Sequence, residues 1–257
     1  GGPDLRGCVN DVKDMAHTLN ALRFVSAQPG SMRILTNGNA TRANIIGGLH
    51  WLIKGARKGD VLIFHYSGHG SQVADLNGDE IDGKDETICP HDYASAGMIK
   101  DDDLRSIFNT VSADVNLDVI LDSCHAGTGT KTLEEPETTV RYIDPPVDMG
   151  YFFEANPMIP IRGIMRREGE KEIDISRKNH VLWAACRDYQ TASEANIGGV
   201  VRGIFTYCFC RVLRRAGPTI QRGRLSGLVS ADVQRMGYSQ IPRLEGTLQS
   251  ILEPVFS

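Results

Sequence analysis

The sequence predicts an α/β fold with a mostly parallel central sheet and helices on both faces. Segments with apolar residues at helical spacing alternate with short, nearly continuous apolar runs. Such runs are typical of strands buried on both sides, and their alternation with helices is typical of parallel crossover units. The length of 257 residues suits one domain of this kind. Because these sheets bind ligands beyond the carboxyl ends of their strands, we expect the functional residues there.

The predicted helices come from apolar positions that recur every three or four residues. Residues 12–22 and 45–56 have this pattern, and Thr41 precedes the second segment at a typical N-cap position. Residues 199–215 and 225–236 repeat the pattern toward the end of the chain. We therefore predict two helices early in the chain and two near its end.

The predicted strands are four short apolar runs bordered by polar residues or glycine, at residues 32–35, 61–66, 117–121 and 181–185. Residues 128–178 differ from the rest, because acidic stretches, prolines and basic residues follow one another there. We interpret this segment as an exposed, flexible loop within a single domain of residues 1–257.

Composition and charge argue against several classes of function. Hydrophobic residues make up 41% and charged residues 23%, which is ordinary for a folded, soluble protein. The formal net charge of −4 is small, so a nucleic-acid partner is not expected. No apolar run reaches the roughly 18 residues of a membrane span, and no membrane is expected. The six cysteines lack the spacing of a disulfide scaffold, so we expect a reducing, cytoplasmic compartment.

Polar clusters follow two of the predicted strands. A Ser-Gly-His-Gly cluster containing His69 follows residues 61–66, and an Asp-Ser-Cys cluster ending at Cys124 follows residues 117–121. Carboxyl ends of parallel strands meet at one edge of a sheet, so we expect both clusters to lie together. A thiol beside an imidazole that can hold its proton is a good nucleophile. The pattern predicts a catalytic pair of His69 and Cys124, with the amides of Gly70 and Cys124 as an oxyanion hole.

Simpler interpretations stay open for these residues taken one at a time. A cysteine after a buried strand is usually a packing residue, and a histidine in a glycine-rich turn usually forms a structural hydrogen bond. His65 lies inside the predicted strand and should face a packed layer, while His125 adjoins the cysteine and is badly placed to reach its thiol. A zinc site of His65, His69 and Cys124 lacks familiar ligand spacing.

The two clusters together resemble the paired signature of metacaspases and their bacterial caspase-like relatives. The resemblance rests on His-Tyr-Ser-Gly-His-Gly at residues 65–70 and Asp-Ser-Cys-His-Ala-Gly at residues 122–127, and it extends to residues 5–11, 77–86 and 183–192. It implies a caspase–hemoglobinase fold, in which residues 1–127 resemble the large subunit and residues 179–257 the small subunit. It also implies a calcium-stimulated monomer that uses a Cys-His dyad to cleave protein or peptide substrates after basic residues.

The resemblance also assigns a specificity pocket. The positions that match Cys8, Asp11, Ser67 and Asp122 line the primary pocket of similar metacaspases. Carboxylates without a fixed cation suit a substrate Arg or Lys, and an Arg side chain can pair with a carboxylate bidentately. Caspases instead surround an Asp with arginines, and no basic residue stands at the matching positions beside the nucleophile. We therefore predict cleavage after Arg or Lys.

Acidic residues on either side of residue 90 predict a calcium site. The hard oxygen ligands are Asp75, Asp79, Glu80, Asp82, Asp85, Glu86, Asp101, Asp102 and Asp103, and their spacing is not that of an EF-hand. The resemblance implies Asp85, Asp101 and Asp102 as ligands. Lys131 replaces a further acidic ligand of the family, for which Glu134 could substitute. A simply solvated acidic loop is the alternative.

Two more expectations concern the middle and the start of the chain. Arg166 and Arg167 are the first candidates for a bond that the enzyme cuts in itself, although solvated charges on a loop are the simpler interpretation. Related domains begin with an apolar strand before the Leu-Arg-Gly-Cys motif at residues 5–8, so a core strand should be missing here.

Two functions of other classes compete with a peptidase. A non-catalytic caspase-like scaffold or regulatory interaction domain would not need the dyad and the acidic pocket that this chain retains. A nucleotide-binding protein would need a phosphate-cradling glycine-rich turn that opens a helix, and the Ser-Gly-His-Gly cluster lacks that form. A cysteine endopeptidase is therefore the function that we expect.

Overall fold

Helices and strands alternate along the chain in a computed structural model, which describes residues 4–74, 84–124, 136–144, 180–187 and 190–257. The helices are α1 (Cys8–Ala21), a 3-10 turn (Asn37–Asn39), α2 (Arg42–Ile53), α3 (Tyr93–Ala96), α4 (Asp101–Phe108), α5 (Ile204–Ala216), α6 (Arg222–Arg235) and α7 (Leu248–Leu252). The strands are β1 (Val61–Ser67), β2 (Gly70–Ala74), β3 (Lys84–Ile88), β4 (Ile99–Lys100), β5 (Asn116–Asp122), β6 (Thr138–Val140), β7 (Val181–Ala184), β8 (Ser193–Ile197), β9 (Val200–Gly203) and β10 (Arg243–Glu245).

The central sheet has the strand order β1-β5-β7-β10. The first three strands are parallel, and β10 runs antiparallel to β7. The register of β1 and β5 sets Ser67 opposite Asp122, so both strands end at the same level. This arrangement confirms the predicted mostly parallel sheet.

Helices cover both faces of this sheet. Successive side chains of β5 point to opposite faces, so neighbouring residues of this strand pack against different helices. Leu117 and Val119 pack with residues of α2 and α4, while Ile120 packs with residues of α1, α5 and α6. The two apolar clusters form the core, one on each face of the sheet. Two small antiparallel sheets, β2-β3-β4 and β6-β8-β9, complete the fold.

Most elements confirm the sequence prediction. The predicted helix of residues 12–22 is α1, that of 45–56 is α2, and that of 225–236 is α6. Thr41 caps α2, since its side-chain oxygen accepts a hydrogen bond from the amide of Asn44 at 3.2 Å. The predicted strands of residues 61–66, 117–121 and 181–185 are β1, β5 and β7.

The prediction of helix for residues 199–215 is wrong at its start. Residues Val200–Gly203 form β9, and the helix begins only at Ile204. Gly198 and Gly199 both have positive φ, 63° and 86°, which is the geometry of a tight hairpin turn that joins β8 to β9. Cross-strand pairing with β8 therefore outweighs the helical spacing of these residues.

The predicted strand at residues 32–35 is also wrong, since the segment pairs with no strand in the described part of the chain. A groove of about 680 Å³ is lined both by this segment and by β1, so a gap separates the two. Strand β1 is the edge of the described sheet on this side. This groove adjoins that edge.

The interpretation of residues 128–178 as an exposed loop is wrong for residues 138–143. Within them, β6 pairs with β8, and Arg141 and Ile143 are buried. Outside residues 136–144, the structure does not describe that segment. Among the helices that it does describe, none is both long and apolar enough to cross a membrane.

Candidate active site

The two polar clusters lie side by side at the carboxyl edge of the central sheet. His69 stands two residues beyond the end of β1, and Cys124 stands two residues beyond the end of β5. The amide of Gly68 donates to the carbonyl oxygen of Asp122 at 3.2 Å, which ties the two strand ends together. The structure therefore confirms that both clusters share one edge, as expected for adjacent parallel strands.

The backbone around His69 is held closely. Its carbonyl oxygen accepts hydrogen bonds from the Tyr66 hydroxyl at 2.7 Å and from the Cys89 amide at 3.0 Å. Gly70 lies against the nucleophile segment, because a Cβ at this position would sit 2.8 Å from the carbonyl carbon of Cys124. Only glycine permits this approach, and it brings the two strand-end loops into contact.

Cys124 is completely buried. Its Sγ donates to the carbonyl oxygen of Gln190 at 3.3 Å, and Cys186 Sγ donates to the same oxygen at 3.2 Å. Cys186 also has a hydrogen bond with Cys124. This hydrogen bond is the largest cause, and burial the next, that raises the pKa of Cys186 well above its usual value. The thiol of Cys124 is thus covered by the chain itself in this structure.

The two predicted oxyanion donors converge on one carbonyl group. The amides of Gly70 and Cys124 donate to the carbonyl oxygen of Arg141, at 3.0 and 3.2 Å. The amide of Arg141 in turn donates to the carbonyl oxygen of Ala192 at 3.0 Å. The backbone of Arg141 therefore sits directly over the nucleophile segment.

The side chain of Arg141 enters the predicted specificity pocket and is completely buried there. Its Nη2 lies 2.5 Å from Asp11 Oδ2, and its Nη1 lies 3.3 Å from Asp122 Oδ2. The same Nη1 donates to Ser67 Oγ at 2.7 Å, and Ser67 Oγ donates to Asp11 Oδ2 at 2.8 Å. The expected absence of a fixed cation is thus wrong for this structure, because the cation comes from a distant part of the chain.

Cys8 completes the set of four predicted pocket residues. Burial raises the pKa of its thiol to about 11, although the charge of Arg141 acts in the opposite direction. The thiol is therefore neutral near pH 7 and adds a polarisable but uncharged group to the pocket. The structure brings Cys8, Asp11, Ser67 and Asp122 together around one guanidinium.

The charged groups of the pocket shift one another's pKa values. Burial raises the pKa of Asp122, against the Arg141 charge and hydrogen bonds from the Thr206 amide and hydroxyl at 3.0 and 2.7 Å. Burial also disfavours the charged form of Arg141, but Asp122 and Asp11 outweigh it and raise the pKa of the guanidinium. Arg141 consequently remains a cation inside the pocket.

Sequence reasoning missed three residues of this pocket, namely Arg141, Glu194 and Gly203. Glu194 Oε2 lies 3.4 Å from Arg141 Nη2, and its carboxylate also accepts the amides of Arg6 at 2.8 Å and Gly7 at 3.0 Å. The amide of Gly203 donates to Asp11 Oδ1 at 2.8 Å. The one available signal was the β-branched run Thr-Thr-Val directly before Arg141, which favours an extended strand.

The alternative roles of the other histidines are limited by the structure. His65 lies within β1 with its Nε2 3.3 Å from Thr206 Oγ1, and burial lowers its pKa to about 4. It is therefore a neutral packing residue, as its position in the strand indicated. The described residues contain no group of three or more side chains that could hold a metal ion, and His125 lies outside them.

The three predicted calcium ligands are engaged with basic side chains, and they form no metal-binding group among the described residues. Asp85 is buried, with its Oδ2 2.5 Å from Lys100 Nζ. Asp101 and Asp102 open α4 and pair with Arg105 at 2.8 and 3.0 Å. Burial, with a contribution from neighbouring carboxylates that include Asp85, raises the pKa of Asp101 to about 6. This corner of the molecule therefore concentrates negative charge.

Comparison with known proteins identifies the family. The family described as "Metacaspase, peptidase C14 domain" matches residues 1–132. The chain belongs to the metacaspase family. Metacaspase-1 of Coccidioides immitis is 35% identical over 244 residues, which cover 82% of this chain and 51% of that protein. Metacaspase-1 of Mycosarcoma maydis is 31% identical, over 95% of this chain and 66% of that protein. This metacaspase chain therefore spans about half to two thirds of the length of these relatives.

Solved structures share the fold of this chain. A crystal structure of a Geobacter sulfurreducens protein superposes with a TM-score of 0.67 at 27% identity, covering 97% of this chain and 88% of that one. Caspase-1 from Spodoptera frugiperda superposes with a TM-score of 0.56 at 14% identity, over 95% and 80% of the two chains. The second likeness concerns the fold alone, and it confirms the predicted caspase-like architecture of this metacaspase.

Several predicted residues of this metacaspase lie outside the described residues. They are the self-cleavage candidates Arg166 and Arg167, the position Lys131 with its substitute Glu134, and the acidic residues Asp75, Asp79, Glu80 and Asp82. Their roles stay predictions. The catalytic roles of His69 and Cys124 also stay predictions, supported by their place at adjacent strand ends.

Proposed function

We propose that this metacaspase is a cysteine endopeptidase that cleaves protein or peptide substrates after Arg or Lys. The observation that carries the proposal is a buried pocket that holds a guanidinium between Asp11, Asp122 and Glu194, next to Cys124. A substrate arginine in the same place would meet the same carboxylates. A substrate aspartate would bring a fourth negative charge into a dry pocket, where like charges repel strongly.

The pocket geometry favours Arg over Lys. Arg141 uses both terminal nitrogens, since Nη1 reaches Ser67 and Asp122 while Nη2 reaches Asp11 and Glu194. A guanidinium presents these donors in a rigid fork, whereas a lysine offers one compact ammonium on a flexible stem. Lysine substrates should therefore be cleaved more slowly than arginine substrates.

The proposed reaction uses the residues at the strand ends. The Cys124 thiolate attacks the carbonyl carbon of the scissile bond, and the amides of Gly70 and Cys124 donate to the oxyanion that forms. His69 gives its proton to the leaving amine, so that the C–N bond breaks and a thioester remains. Water, deprotonated by His69, then hydrolyses the thioester and regenerates the thiol.

Calcium binding is a further element of the proposal. Asp85 Oδ1 and Asp101 Oδ1 are buried and have no hydrogen-bond partner among the described residues, so each could still ligate a cation. The hard oxygen donors of Asp85, Asp101 and Asp102 suit calcium, which would neutralise this acidic corner. Lys100 and Arg105 compete for the same carboxylates and should weaken the affinity. We also keep self-cleavage after Arg166 or Arg167, a monomeric state and a cytoplasmic location as proposals.

The test compares fluorogenic peptides that differ only in an Arg, Lys or Asp before the cleaved bond, with calcium and with a chelator. We expect hydrolysis after Arg, slower hydrolysis after Lys and none after Asp. Cys124→Ala should abolish hydrolysis, whereas Cys208→Ala, a matched loss of a thiol from the buried face of α5, should retain it. Cleavage after Asp would contradict the assigned pocket. A folded chain that cleaves no peptide would favour the scaffold or regulatory role.

A further inference from the structure

Two thiols meet at the carboxyl edge of the central sheet. Cys124 stands two residues beyond the end of β5, and Cys186 stands two residues beyond the end of β7. These strands are parallel neighbours in which Leu121 pairs with Ala184, so both cysteines follow directly after paired positions. The fold therefore brings together two thiols that are far apart along the chain.

The two thiols share one hydrogen-bond acceptor. Cys124 Sγ and Cys186 Sγ donate to the carbonyl oxygen of Gln190 at 3.3 and 3.2 Å, and a hydrogen bond also joins the two side chains. The side chain of Gln190 anchors this peptide group, because its Nε2 donates to the carbonyl oxygen of Ser239 and its Oε1 accepts the amide of Ile241, each at 3.1 Å. Both sulfurs are therefore held against the same peptide group and against each other.

Reactivity separates Cys124 from the other thiols, because a thiolate, and not a protonated thiol, attacks a hydroperoxide. Burial raises the pKa of Cys8 to about 11 and those of Cys89 and Cys208 to about 12, so these three stay protonated near pH 7. The proposed peptidase reaction, in contrast, needs Cys124 as a thiolate. Cys124 is therefore the expected first site of oxidation. Its contact with Cys186, followed by burial, raises the pKa of Cys186, which is the expected second site.

We propose that Cys124 and Cys186 form a redox site, at which a hydroperoxide converts the two thiols into a reversible disulfide. The disulfide removes the nucleophile, so the oxidised chain cannot cleave peptides. This loss of activity rests on the proposed function, whereas the disulfide itself depends only on the two thiols. The site takes hydrogen peroxide or a small alkyl hydroperoxide, which needs less room than the peptide that must also reach Cys124.

The oxidation proceeds in two steps. The Cys124 thiolate attacks one peroxide oxygen, so the O–O bond breaks and Cys124 becomes a sulfenic acid. The other oxygen takes up the proton that the thiol had lost and leaves as water or an alcohol. The Cys186 sulfur then attacks the Cys124 sulfur, which forms the S–S bond, breaks the S–O bond and releases water with the proton of Cys186. The two thiols lose two electrons, and one hydroperoxide gains them.

Contact between the two sulfurs decides the product of this oxidation. A sulfenic acid without a neighbouring thiol reacts with more peroxide to a sulfinic acid, which thiol reductants do not reverse. Cys186 is already in hydrogen-bond contact with Cys124, so the sulfurs need to move only from that distance to the S–S bond length of about 2 Å. Disulfide formation should therefore outpace over-oxidation, and Cys186 protects the nucleophile while activity is switched off.

The experiment treats the purified chain with hydrogen peroxide and then with dithiothreitol, and it follows mass and activity in parallel. After peroxide we expect each chain to lose two hydrogen atoms, and a tryptic digest should contain residues 106–131 joined to residues 179–187. Hydrolysis of an arginine peptide should fall at least about 10-fold as the disulfide forms, since the thiolate is lost. Dithiothreitol should restore most of the untreated rate, because thiol exchange reverses the reaction.

Cys186→Ala and Cys208→Ala are matched variants, since each removes one buried thiol. Each variant is compared with its own untreated rate. Cys208→Ala should form the disulfide and recover with dithiothreitol as the wild type does. Cys186→Ala should instead gain oxygen atoms at Cys124, and the fraction of activity that dithiothreitol restores should be at least about 10-fold lower than in the wild type. Cys124→Ala should not form the link.

Three results would overturn the inference while leaving the proposed function intact. One is a disulfide of Cys124 with Cys8 or Cys89 instead of Cys186. Another is a Cys186→Ala chain that recovers as fully as the wild type. The third is an active wild-type chain in which both thiols stay reduced under peroxide. A chain that forms the Cys124–Cys186 disulfide but, when reduced, neither hydrolyses the arginine peptide nor reacts with an arginine chloromethyl ketone would keep the redox site and refute the proposed function.

Discussion

Arg141 and Arg222 are both buried, yet their surroundings differ. Arg222, on α6, faces one buried carboxylate, with Nη2 2.9 Å from Asp118 Oδ2 and Nε 3.2 Å from Asp118 Oδ1. Trp183 Nε1 donates to the same carboxylate at 2.8 Å. Arg141 instead faces three carboxylates that come from α1, β5 and β8. Its Nε and Asp122 Oδ1 have no hydrogen-bond partner within the described ranges of the chain.

The difference separates a structural ion pair from the proposed specificity pocket. Around Arg222, one cation meets one buried anion, Asp118, and its Nη1 lies 3.5 Å from the partly exposed carboxylate of Glu253, so the guanidinium is well satisfied. Around Arg141, three anions share one cation that arrives at the end of a three-residue strand. Without that cation the pocket is strongly negative, which is the requirement for binding an arginine from elsewhere. Burial of an arginine side chain therefore does not by itself distinguish a structural ion pair from an arginine held in a pocket.

The largest expected effect compares the loss of one carboxylate at each arginine. Asp118→Asn leaves Arg222 without its buried counter-ion and should lower the free energy of unfolding by about 3–5 kcal/mol. Asp11→Asn leaves Arg141 with Asp122 and Glu194, so its cost should be smaller, about 1–3 kcal/mol. Urea unfolding at pH 7 measures both, in a Cys124→Ala background that prevents self-cleavage. A larger loss for Asp11→Asn than for Asp118→Asn would break the comparison.

A smaller effect should follow from filling space in the pocket. A Cβ on Gly203 would lie 2.7 Å from both Arg141 Nη1 and Asp11 Oδ2, so Gly203→Ala should crowd any arginine in the pocket. We expect catalytic efficiency on an arginine peptide to fall about 10- to 100-fold, which corresponds to about 1–3 kcal/mol of overpacking. Gly227→Ala is the matched control, because no described atom apart from its chain neighbours and the backbone of its own helix lies within 4 Å of the added Cβ, and α6 gains a better helix former. Equal activity of the two variants would show that Gly203 does not border the substrate.

The smallest effect concerns the acidic corner, where the charges are half-exposed. Burial raises the pKa of Asp101 from 3.8 to about 6 in the folded state. Its stabilising contribution is therefore complete below about pH 4 and is lost as the pH rises through about 6. Asp101→Asn should remove this dependence and change stability at pH 7 by less than about 1 kcal/mol, because solvent screens the site.

Thermal unfolding at pH 4, 6 and 7.5 measures this change, with and without calcium. The wild type should gain stability with calcium at pH 7.5, and Asp101→Asn should lose most of that gain. Asp103→Asn is the matched neighbour, since Asp103 pairs with Arg42 at 3.2 Å instead, and it should keep the gain. An equal calcium response in all three chains would count against Asp101 as a ligand.

Local patterns predicted the elements whose formation depends on nearby residues. Helical spacing located α1, α2 and α6, and continuous apolar runs located β1, β5 and β7. The errors fall where pairing with a distant segment decides the outcome. Residues 32–35 have the composition of a strand but lie across a groove from β1, and residues 200–203 have helical spacing but pair with β8.

The sequence by itself determined the family, the mostly parallel sheet and the position of His69 and Cys124 at adjacent strand ends. These features follow from short motifs and from periodicity, which are local properties of the chain. Only the tertiary structure decided that Arg141 fills the pocket of Asp11, Asp122 and Glu194. The physical reason is that three buried carboxylates, far apart along the chain, need one cation, and only the folded arrangement selects which cation reaches them.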